Sequence, residues 1–266
     1  MQALVFTLAA PMMAFGEIAV DERRGTAPRP TRSAVLGLLA AALGLERADP
    51  RQRPFADGYD IAVRTDRAGR VLADYHTVQV PPSSAINKAA KQTGRRPATR
   101  AEELAVGDLG TKLTRRDYLT DAAFTVLIVA RPVAPVPLSE LAGALERPHW
   151  RLSAGRRSCP LGLPPAPRVI EADTVIGAFT AYDDGEDGSP DRAALRALFR
   201  SDRTGRHSLN PSAAPIAADL GLEAVLGFSA SRRETRRDAI ADRSRWQFAP
   251  RVELVGRPAE AGDRAP

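Results

Sequence analysis

Two long apolar runs require this chain to fold around a sheet whose central strands are covered on both faces. In Gln2–Ala10 both alternating sets of side chains are largely apolar, and Ala122–Val129 is apolar at almost every position. Successive side chains of a strand point to opposite faces, so a half-exposed strand would be apolar in one set only. The two runs therefore predict strands in the interior of a sheet, and Pro11 is expected to end the first.

A helix is expected between these strands. Pro30-Thr31-Arg32-Ser33 precedes an apolar run that ends near Leu43, and either Thr31 or Ser33 is the expected N-cap residue. Gly44 suits the position just beyond the last turn, where the backbone often becomes left-handed. Because the run is apolar nearly all round, we expect the helix to be buried against the sheet.

The order of the elements indicates an α+β fold of the ferredoxin-like type. Two further strands are expected within residues 58–80, and a short helix at 138–145, whose apolar residues share one face. Strand, helix, strand, strand and helix begin a ferredoxin-like pattern, which needs one more strand after the second helix. We expect that strand, and a smaller β-rich region, between residues 150 and 255, with 169–178 and 251–255 as candidates.

Polar segments divide the chain. Residues 81–116 hold every lysine and lack a sustained apolar period, which is typical of an extended arm rather than of a core element. Residues 183–215 are rich in Asp, Gly, Ser, Pro and Arg and predict a surface excursion, and 257–266 predict a disordered tail. We therefore expect a domain of residues 1–150 that carries the arm, and a β-rich region of residues 151–256.

The charge of the chain favours a polyanionic partner. The chain has 266 residues, a formal net charge of +6 and a pI near 10.0, so a nucleic acid or a membrane surface is the expected partner class. Only three of the 38 basic residues are lysine, and a GC-rich genome alone would favour arginine. The clustering of the arginines is harder to explain by composition and argues for function.

Several classes of chemistry find no support in the sequence. The single cysteine, Cys159, excludes an internal disulfide and is typical of a reducing cytosol, and the three scattered histidines add no zinc-ligand spacing. The most apolar run, residues 34–45, is too short to span a bilayer, and no nucleotide-binding or nucleophile motif occurs. We expect a cytoplasmic, non-catalytic protein without a metal, a cofactor, a membrane partner or a small-molecule substrate.

Metal-independent RNA cleavage is the alternative. Such cleavage needs a general base and a general acid, commonly His with Tyr or Lys, and Tyr75-His76 is the only adjacent pair of that kind. On a strand these neighbours would point to opposite faces and could not act on one substrate atom. A structural or RNA-contacting role is therefore favoured for His76.

Paired arginines beside aromatic residues indicate binding of single-stranded RNA. Arg115-Arg116-Asp117-Tyr118 and Arg147-Pro148-His149-Trp150-Arg151 combine guanidinium groups, which bind phosphate, with rings on which bases stack. In Gly155-Arg156-Arg157 the glycine also lets the backbone approach a ligand closely. The run Arg232–Arg237 contains Glu234 and is instead typical of an exposed, salt-bridged helix or loop.

Five blocks of sequence occur together in one known family. The blocks are Ala10-Pro11-Met12-Met13-Ala14-Phe15-Gly16, Pro30-Thr31-Arg32-Ser33-Ala34-Val35-Leu36-Gly37-Leu38-Leu39, Asp74-Tyr75-His76-Thr77-Val78, Tyr118-Leu119-Thr120-Asp121-Ala122-Ala123-Phe124-Thr125-Val126 and Gly155-Arg156-Arg157-Ser158-Cys159-Pro160-Leu161. In this order they resemble the CasD family, the e subtype of the Cas5 proteins, whose members hold the 5′ end of the guide RNA in type I-E CRISPR Cascade complexes. In the first block Met13 replaces the family's usual glutamine and Phe15 its usual tryptophan.

The resemblance implies a modified ferredoxin-like, RRM-related fold with a thumb-like arm. It also implies binding of the repeat-derived 5′ handle of crRNA. The partners it implies are the Cascade backbone subunits and the large PAM-reading subunit, with target DNA within reach. Members of this subtype are not the nuclease that processes the precursor RNA, although relatives in another subtype do cut RNA.

The motifs and the resemblance together define a candidate site. Core packing is the default for Met12, Met13 and Phe15, and a turn with three large apolar groups could also pack on RNA bases. Because an assembly subunit needs apolar surface for its neighbours, we name these three residues as the candidates for partner contact. We expect the basic loops to converge into one cationic cradle, with Arg156 and Arg157 near Arg32 and the lysine-bearing arm. The expected RNA-binding residues are Arg24, Arg32, Ser33, Tyr75, His76, Lys112, Arg115, Arg116, Tyr118, Gly155, Arg156 and Arg157.

Overall fold

One sheet organises the part of the chain that the structure describes. In this computed structural model the described residues are 1–17, 22–185, 214–243, 245 and 247–258. Their strands are β1 (Gln2–Met13), β2 (Arg23–Arg24), β3 (Tyr59–Arg67), β4 (Arg70–Val80), β5 (Gly110–Ala130), β6 (Arg168–Glu171), β7 (Ile216–Asp219), β8 (Arg232–Asp242) and β9 (Gln247–Gly256). Their helices are α1 (Arg32–Ala42), α2 (Gln52–Asp57), α3 (Ser83–Thr93), α4 (Arg100–Ala105), α5 (Leu138–Glu146) and α6 (Val175–Asp184), with a 3-10 helix at Leu220–Val225.

The strands follow the spatial order β6-β1-β5-β3-β7-β9-β8, and β2 and β4 both pair with β5 outside this row. All of these pairings are antiparallel except that of β2 with β5. The result is a mixed α/β fold built on a large antiparallel sheet. Because β1 and β5 lie inside the row, each has a strand on both sides.

The prediction of two strands covered on both faces is confirmed. β1 pairs with β5 from Leu4 opposite Ile128 to Leu8 opposite Phe124. Their side chains enter two hydrophobic cores, one formed with α1, α2 and α5 and the other with α6 and the 3-10 helix. Since burying one large apolar side chain contributes about 1.5–3 kcal/mol, this doubly covered strand pair makes a large contribution to the fold's stability.

The first strand is longer than its sequence predicts. Pro11 does not end β1, because pairing with β5 resumes at Met12 opposite Thr120 and Met13 opposite Leu119. Proline lacks an N–H group and is tolerated in a strand where no ladder bond is required of it. Pro11 is exposed, and the extension carries β1 up to the loops of the candidate site.

Both ends of α1 follow the sequence signals. The Thr31 hydroxyl accepts a hydrogen bond from the Ala34 N–H, which caps the first turn. Beyond the last turn Gly44 has φ +76°, and the N–H groups of Gly44 and Leu45 donate to the carbonyl groups of Ala41 and Ala40. This pair of bonds is a Schellman motif, which satisfies the free carbonyl groups of the helix.

The strands at both ends of the sheet come from the part of the chain after residue 167. β6 pairs with the outer side of β1, whereas β7 pairs with β3 and is followed by β9 and β8. Only the start of the candidate 169–178 is strand, because α6 begins at Val175 with Thr174 as its N-cap residue. The candidate 251–255 lies within β9. The strands after residue 151 therefore continue the same sheet as those of residues 1–150.

The prediction of a helix or loop at Arg232–Arg237 is wrong, because these residues begin β8. The expected salt bridges are present: Arg232 contacts Glu234 at 2.6 Å and Arg233 contacts Glu223 at 2.8 Å. Pairing with β9 decides the conformation, and a charge pattern within one segment does not reveal a strand partner.

An arm extends from one end of β5. The first half of β5 leaves the central sheet and forms a ladder with β4, from Thr120 opposite Arg70 to Gly110 opposite Val80. At the far end of the ladder lie α3 and α4, neither of which has a buried residue. The expected arm, residues 81–116, contains these helices and the outer part of β5, and β4 forms its other side.

A salt bridge closes the outer end of the arm. Arg95 donates two hydrogen bonds of 2.9 Å to Glu102, which also accepts from the Ala98 N–H at 2.8 Å. These bonds, above all those from Arg95, lower the pKa of Glu102 to about 2. These bonds tie the first turn of α4 to the segment that follows α3.

The arm joins the sheet at a sharp backbone irregularity. Asp121 has φ +54° where β5 passes from the arm to the core, and Gly69 has φ +73° in the turn between β3 and β4. A Cβ atom at Gly69 would lie 2.4 Å from the Thr120 carbonyl oxygen. Only glycine fits this position, for steric as well as conformational reasons.

Two segments expected from the sequence lie largely outside the described residues. They are the surface excursion at 183–215 and the tail at 257–266. Among the residues that the structure does describe, no helix is long and apolar enough to cross a membrane.

We expect Gly69→Ala to destabilise the protein more than Gly94→Ala. Both glycines are left-handed, with φ +73° and +75°, which costs an L-residue about 1–2 kcal/mol. A Cβ atom would meet nothing within 4 Å at Gly94, so the clash at Gly69 should add about 1–3 kcal/mol. Urea unfolding of both variants measures the difference, and equal losses would contradict the tight junction between arm and sheet.

Candidate nucleic-acid interface

The Gly-Arg-Arg loop is fixed to the end of β1 by its backbone. The Ala14 N–H donates to the Ala154 carbonyl at 3.1 Å, and the loop is closed by bonds of 2.8 Å from Ala154 to Cys159 and from Cys159 to Arg156. Gly155 has φ +88°, and a Cβ atom there would lie 1.8 Å from the Ala14 carbonyl oxygen. The glycine thus lets the loop approach the end of the protein's own first strand closely. The loop is therefore held in one position relative to β1.

Arg156 connects this loop to two strands. Its guanidinium lies over the Tyr118 ring, 4.7 Å from the centroid. Its Nη1 donates to the Asp117 carbonyl at 3.4 Å and its Nη2 to the Arg24 carbonyl at 3.2 Å. Tyr118 is buried, so its ring supports the arginine from below and is not available to stack on a base. Arg157 is exposed and makes no ion pair among the described residues.

β2 places two further arginine pairs beside the loop. It runs parallel to β5, with Arg23 opposite Arg115 and Arg24 opposite Arg116. Like charges directly opposite each other on neighbouring strands repel, and an anion between them would remove that repulsion. We name Arg23, Arg24, Arg115, Arg116, Arg156 and Arg157 the arginine cluster.

One buried carboxylate lies within the arginine cluster. Asp117 has only 5% of its side chain exposed, and its Oδ2 accepts hydrogen bonds from Arg23 Nε at 3.3 Å and Arg23 Nη2 at 3.1 Å. Neither Asp117 nor Arg23 is among the residues expected from the sequence. The two-residue period of a strand, which puts Asp117 on the same face as Arg115, is the signal that could have found the carboxylate.

The arm continues the surface of the arginine cluster. Tyr75 lies opposite Arg115 on the β4–β5 ladder, and its side chain is 70% exposed. Lys112 lies further out on the same ladder, opposite Val78, and is exposed. Tyr75 and Arg115 together therefore offer an accessible ring beside a guanidinium, the pairing that suits an unstacked base next to its phosphate.

His76 lies on the other face of the ladder from Tyr75. Burial alternates along β4, with Asp74 and His76 half-buried and Tyr75 exposed, as the sequence predicts for neighbours on a strand. The His76 Nε2 lies 2.5 Å from Asp74 Oδ2, and Asp74 lies opposite Arg116. Among the described residues no group of three or more His, Cys, Asp and Glu side chains is arranged to hold a metal ion.

Comparison with known proteins identifies the family. The family described as "CRISPR-associated protein (Cas_Cas5)" matches residues 3–251 of this chain.

The chain belongs to the Cas5 family of CRISPR-associated proteins.

Individual relatives agree with this assignment. The chain is 35% identical over 170 residues to "CRISPR system Cascade subunit CasD" of Escherichia coli strain K12, a match that covers 60% of this chain and 68% of the relative. A chain of a solved "CRISPR RNA-guided surveillance complex" has the same fold, with a TM-score of 0.58 and 23% identity over 96% of this chain and 90% of that chain. A solved "Cas protein" gives a TM-score of 0.53 and 23% identity over 96% and 94%.

Arg32 does not join the arginine cluster in this Cas5 protein. It is buried, forms a salt bridge with Asp219 and donates to the carbonyl groups of Ala56 at 2.8 Å and Tyr59 at 2.7 Å. The expectation that Arg32 lies in an RNA-facing cradle is therefore contradicted by its contacts, which all lead into the protein. Ser33 is half-buried on the first turn of α1, and its hydroxyl lies 3.2 Å from that of Thr31.

Arg32 belongs to a network of buried charges that joins α1 to the C-terminal strands. Asp219 on β7 also contacts Arg251 at 2.9 Å, and Arg251 in turn contacts Asp238 at 2.7 Å. Burial raises the pKa of Asp219, and the neighbouring Arg32 and Arg251 oppose this rise. The network therefore holds the first helix against β7, β8 and β9.

Two of the three apolar residues expected at a partner surface are in the core instead. Met13 and Phe15 are 0% and 1% exposed, and the Phe15 ring packs edge-on against Phe124 at 6.0 Å. The prediction of partner contact is wrong for both, because β1 continues past Pro11 to Met13 and both side chains enter the hydrophobic core formed with α1, α2 and α5. Met12 is partly buried and retains some surface.

We expect Arg32→Ala to destabilise the protein without weakening RNA binding by the folded fraction. The change leaves the Asp219 carboxylate with one fewer cation in a buried position, which costs about 3–5 kcal/mol. Urea unfolding and RNA titration of the same preparation measure both effects. Arg53→Ala, at an exposed arginine of α2, is the control and should stay within about 0.5 kcal/mol. Normal stability with lost RNA affinity would return Arg32 to the binding site.

Proposed function

We propose that this Cas5 protein is the non-catalytic RNA-binding subunit of a type I-E Cascade complex, where it holds the repeat-derived 5′ handle of crRNA. The sequence relative named as a Cascade subunit, CasD, supports the assembly. The arginine cluster supports the ligand, since guanidinium groups from β2, β5 and the Gly155 loop lie close together. Arg23 and Arg115 share the Asp117 carboxylate, and Arg156 donates to the main-chain carbonyl groups of Asp117 and Arg24.

The arrangement of the arginine cluster carries the proposal. Arginine binds phosphate oxygens bidentately. Arg23 and Arg115, which lie opposite each other, share only one carboxylate, that of Asp117, so a phosphate would further reduce their repulsion. Phosphates of a single strand recur along the chain, which suits arginines on two neighbouring strands and a loop. Tyr75, exposed beside Arg115, is placed for stacking on a base of the handle.

The core of the RNA-binding domain is proposed to be a modified ferredoxin-like, RRM-related unit. In support, β1, α1, β3, β5, α5 and β6 follow one another along the chain, and their strands lie in the spatial order β6-β1-β5-β3. The βαββαβ chain order with an antiparallel sheet is the pattern of that fold. Residues 1–150 would form most of this unit, the arm would be its thumb, and residues 151–256 would complete and extend the sheet.

The proposed partners follow from the proposed place in the complex. They are crRNA, the backbone subunits and the large PAM-reading subunit, with target DNA within reach, and the compartment is the cytoplasm. Exposed apolar side chains on the arm, such as Val71 and Leu113, offer surface for a neighbouring subunit. Met12 remains the candidate for partner contact at the end of β1.

Metal-independent cleavage of repeat RNA is the second candidate function. The observation in its favour is the Asp74–His76 pair at 2.5 Å, since a carboxylate can orient a histidine as a general base. Against it, Tyr75 lies on the opposite face of the ladder and cannot serve as the acid for the same bond. The RNA-holding function is therefore the better supported of the two.

We expect Arg156→Ala combined with Arg157→Ala to weaken binding of a crRNA 5′ handle by about tenfold or more. The salt dependence should become shallower by roughly 1 to 1.5 in log–log slope, because each neutralised phosphate of a single strand contributes about 0.7. Fluorescence titrations between about 50 and about 200 mM salt measure both quantities.

The matched control for this experiment is Arg232→Ala combined with Arg233→Ala. These arginines are also adjacent and exposed but lie on β8, and each is paired with a glutamate. The control should reduce the affinity much less. Equal losses in the two double variants would mean that general charge, and not the arginine cluster, binds the RNA.

We expect no specific cleavage when the purified protein is incubated with repeat RNA and EDTA. Gel analysis of end-labelled RNA provides the measurement. A discrete product that disappears with His76→Ala would establish the nuclease function in place of the non-catalytic one.

A further inference from the structure

The carboxylate of Asp117 lies where a phosphate-binding surface would be stronger without it. A negative charge lowers the positive potential that attracts RNA. Burying a carboxylate also costs several kcal/mol before its partners compensate. A group that is unfavourable on both counts must contribute something else, and its contacts show what that is.

Asp117 contacts three members of the arginine cluster that come from three different segments. Its Oδ2 accepts both hydrogen bonds from Arg23 on β2. Its Oδ1, which is buried and makes no hydrogen bond, lies 3.5 Å from Arg115 Nε on β5. Its main-chain carbonyl accepts from Arg156 in the Gly155 loop. One residue thus fixes the relative positions of three guanidinium groups.

These contacts leave much of each arginine at the surface. Arg23 is 68% exposed and Arg115 is 49% exposed, whereas Asp117 beneath them is 5% exposed. The carboxylate therefore holds one edge of Arg23 and faces the Nε of Arg115, and the remaining N–H groups of both arginines stay accessible to a phosphate. An arginine has five N–H donors, enough to satisfy an internal acceptor and an external one.

Prior ordering of these side chains would increase RNA affinity. A free arginine side chain carries about 2 kcal/mol of rotamer entropy, which is lost when it binds a phosphate. If Asp117 already restricts the arginine, less of that entropy remains to be lost on binding. The gain is greatest where two arginines lie opposite each other on neighbouring strands and would otherwise move apart.

We propose that Asp117 is a positioning residue for RNA binding, which orients Arg23 and Arg115 by its carboxylate and Arg156 by its carbonyl group. This inference rests on the proposed RNA-binding function. It makes a prediction of unusual sign: removal of a negative charge from the binding surface weakens the binding of a polyanion.

The test is Asp117→Asn in the full-length chain, titrated with a fluorescent synthetic crRNA 5′ handle. Asparagine has the same size but is uncharged and keeps only one acceptor oxygen, so its amide can accept from one of the two arginines and presents an NH₂ group to the other. We expect the handle affinity to fall by about tenfold, the size of a lost charge-assisted hydrogen bond. Charge counting alone predicts the opposite, tighter binding with a steeper salt dependence.

The matched control is Glu22→Gln. Glu22 is an exposed acid next to Arg23 in the chain, so its neutralisation removes one negative charge near the same surface without removing the carboxylate under the arginines. Its affinity should be unchanged or slightly higher. An Asp117→Asn variant that behaves like Glu22→Gln overturns the proposal.

A double-mutant cycle separates positioning from a merely structural role. Asp117→Asn is repeated in a chain that carries Arg23→Ala and Arg115→Ala. If Asp117 acts through these arginines, most of its effect on affinity disappears in that background. If the effect persists in full, Asp117 supports the fold only and the proposal fails.

Thermal melting of each variant shows whether it is folded under the conditions of the titration. Should Asp117→Asn fail to fold, Asp117→Glu decides, because it keeps the charge and displaces the carboxylate by one methylene group. Weaker RNA binding by a folded Asp117→Glu variant supports the proposal, whereas unchanged affinity, or failure of that variant to fold as well, overturns it. Failure of the unmutated chain to bind the handle would instead refute the proposed function, so the two failures are distinguishable.

Discussion

The architecture depends on β5 being one strand in two environments. Its second half lies between β1 and β3 in the buried sheet, and its first half forms the arm with β4. The register of β1 on β5 therefore fixes two things at once. It fixes the arginines that β5 carries, and it fixes the Gly155 loop, which is bound to the end of β1 through Ala14. The convergence of loop and arm at the arginine cluster follows from the pairing of two apolar strands.

Arginine has opposite roles in two parts of the molecule, and the partners of each side chain determine its role. Arg32 is buried, Arg251 is half-buried, and both are satisfied by acids of β7 and β8, so they join segments distant in the chain. In the arginine cluster the acids are few and the guanidinium groups stay near the surface. A buried arginine is useful only if its charge is compensated within the protein, whereas a phosphate-binding arginine must leave donors unused. An arginine-rich composition therefore does not by itself reveal how many arginines bind RNA.

Features that depend on local chemistry could be predicted from the sequence. The two apolar strands, the Thr31 cap, the left-handed Gly44 and the opposed faces of Tyr75 and His76 all follow from periodicity or from conformational preference over a few residues. Features that depend on distant partners could not. The contact of Arg32 with Asp219 joins positions 187 residues apart, and the sequence near Arg32 does not indicate this partner. The buried positions of Met13 and Phe15 likewise depend on β1 continuing past Pro11, where a local rule predicts its end.

The way the arm is joined to the sheet leaves its outer end free to vary during evolution. Every strand pairing between the arm and the rest of the described chain involves its inner half, where Gly69 packs on Thr120 and β2 meets β5. The outer helices have no buried residue, so residues inserted or deleted there would cost mainly loop entropy, which grows slowly with length. The reach of this appendage can thus be lengthened or shortened from one lineage to another while the sheet and its ligand-binding end remain unaltered.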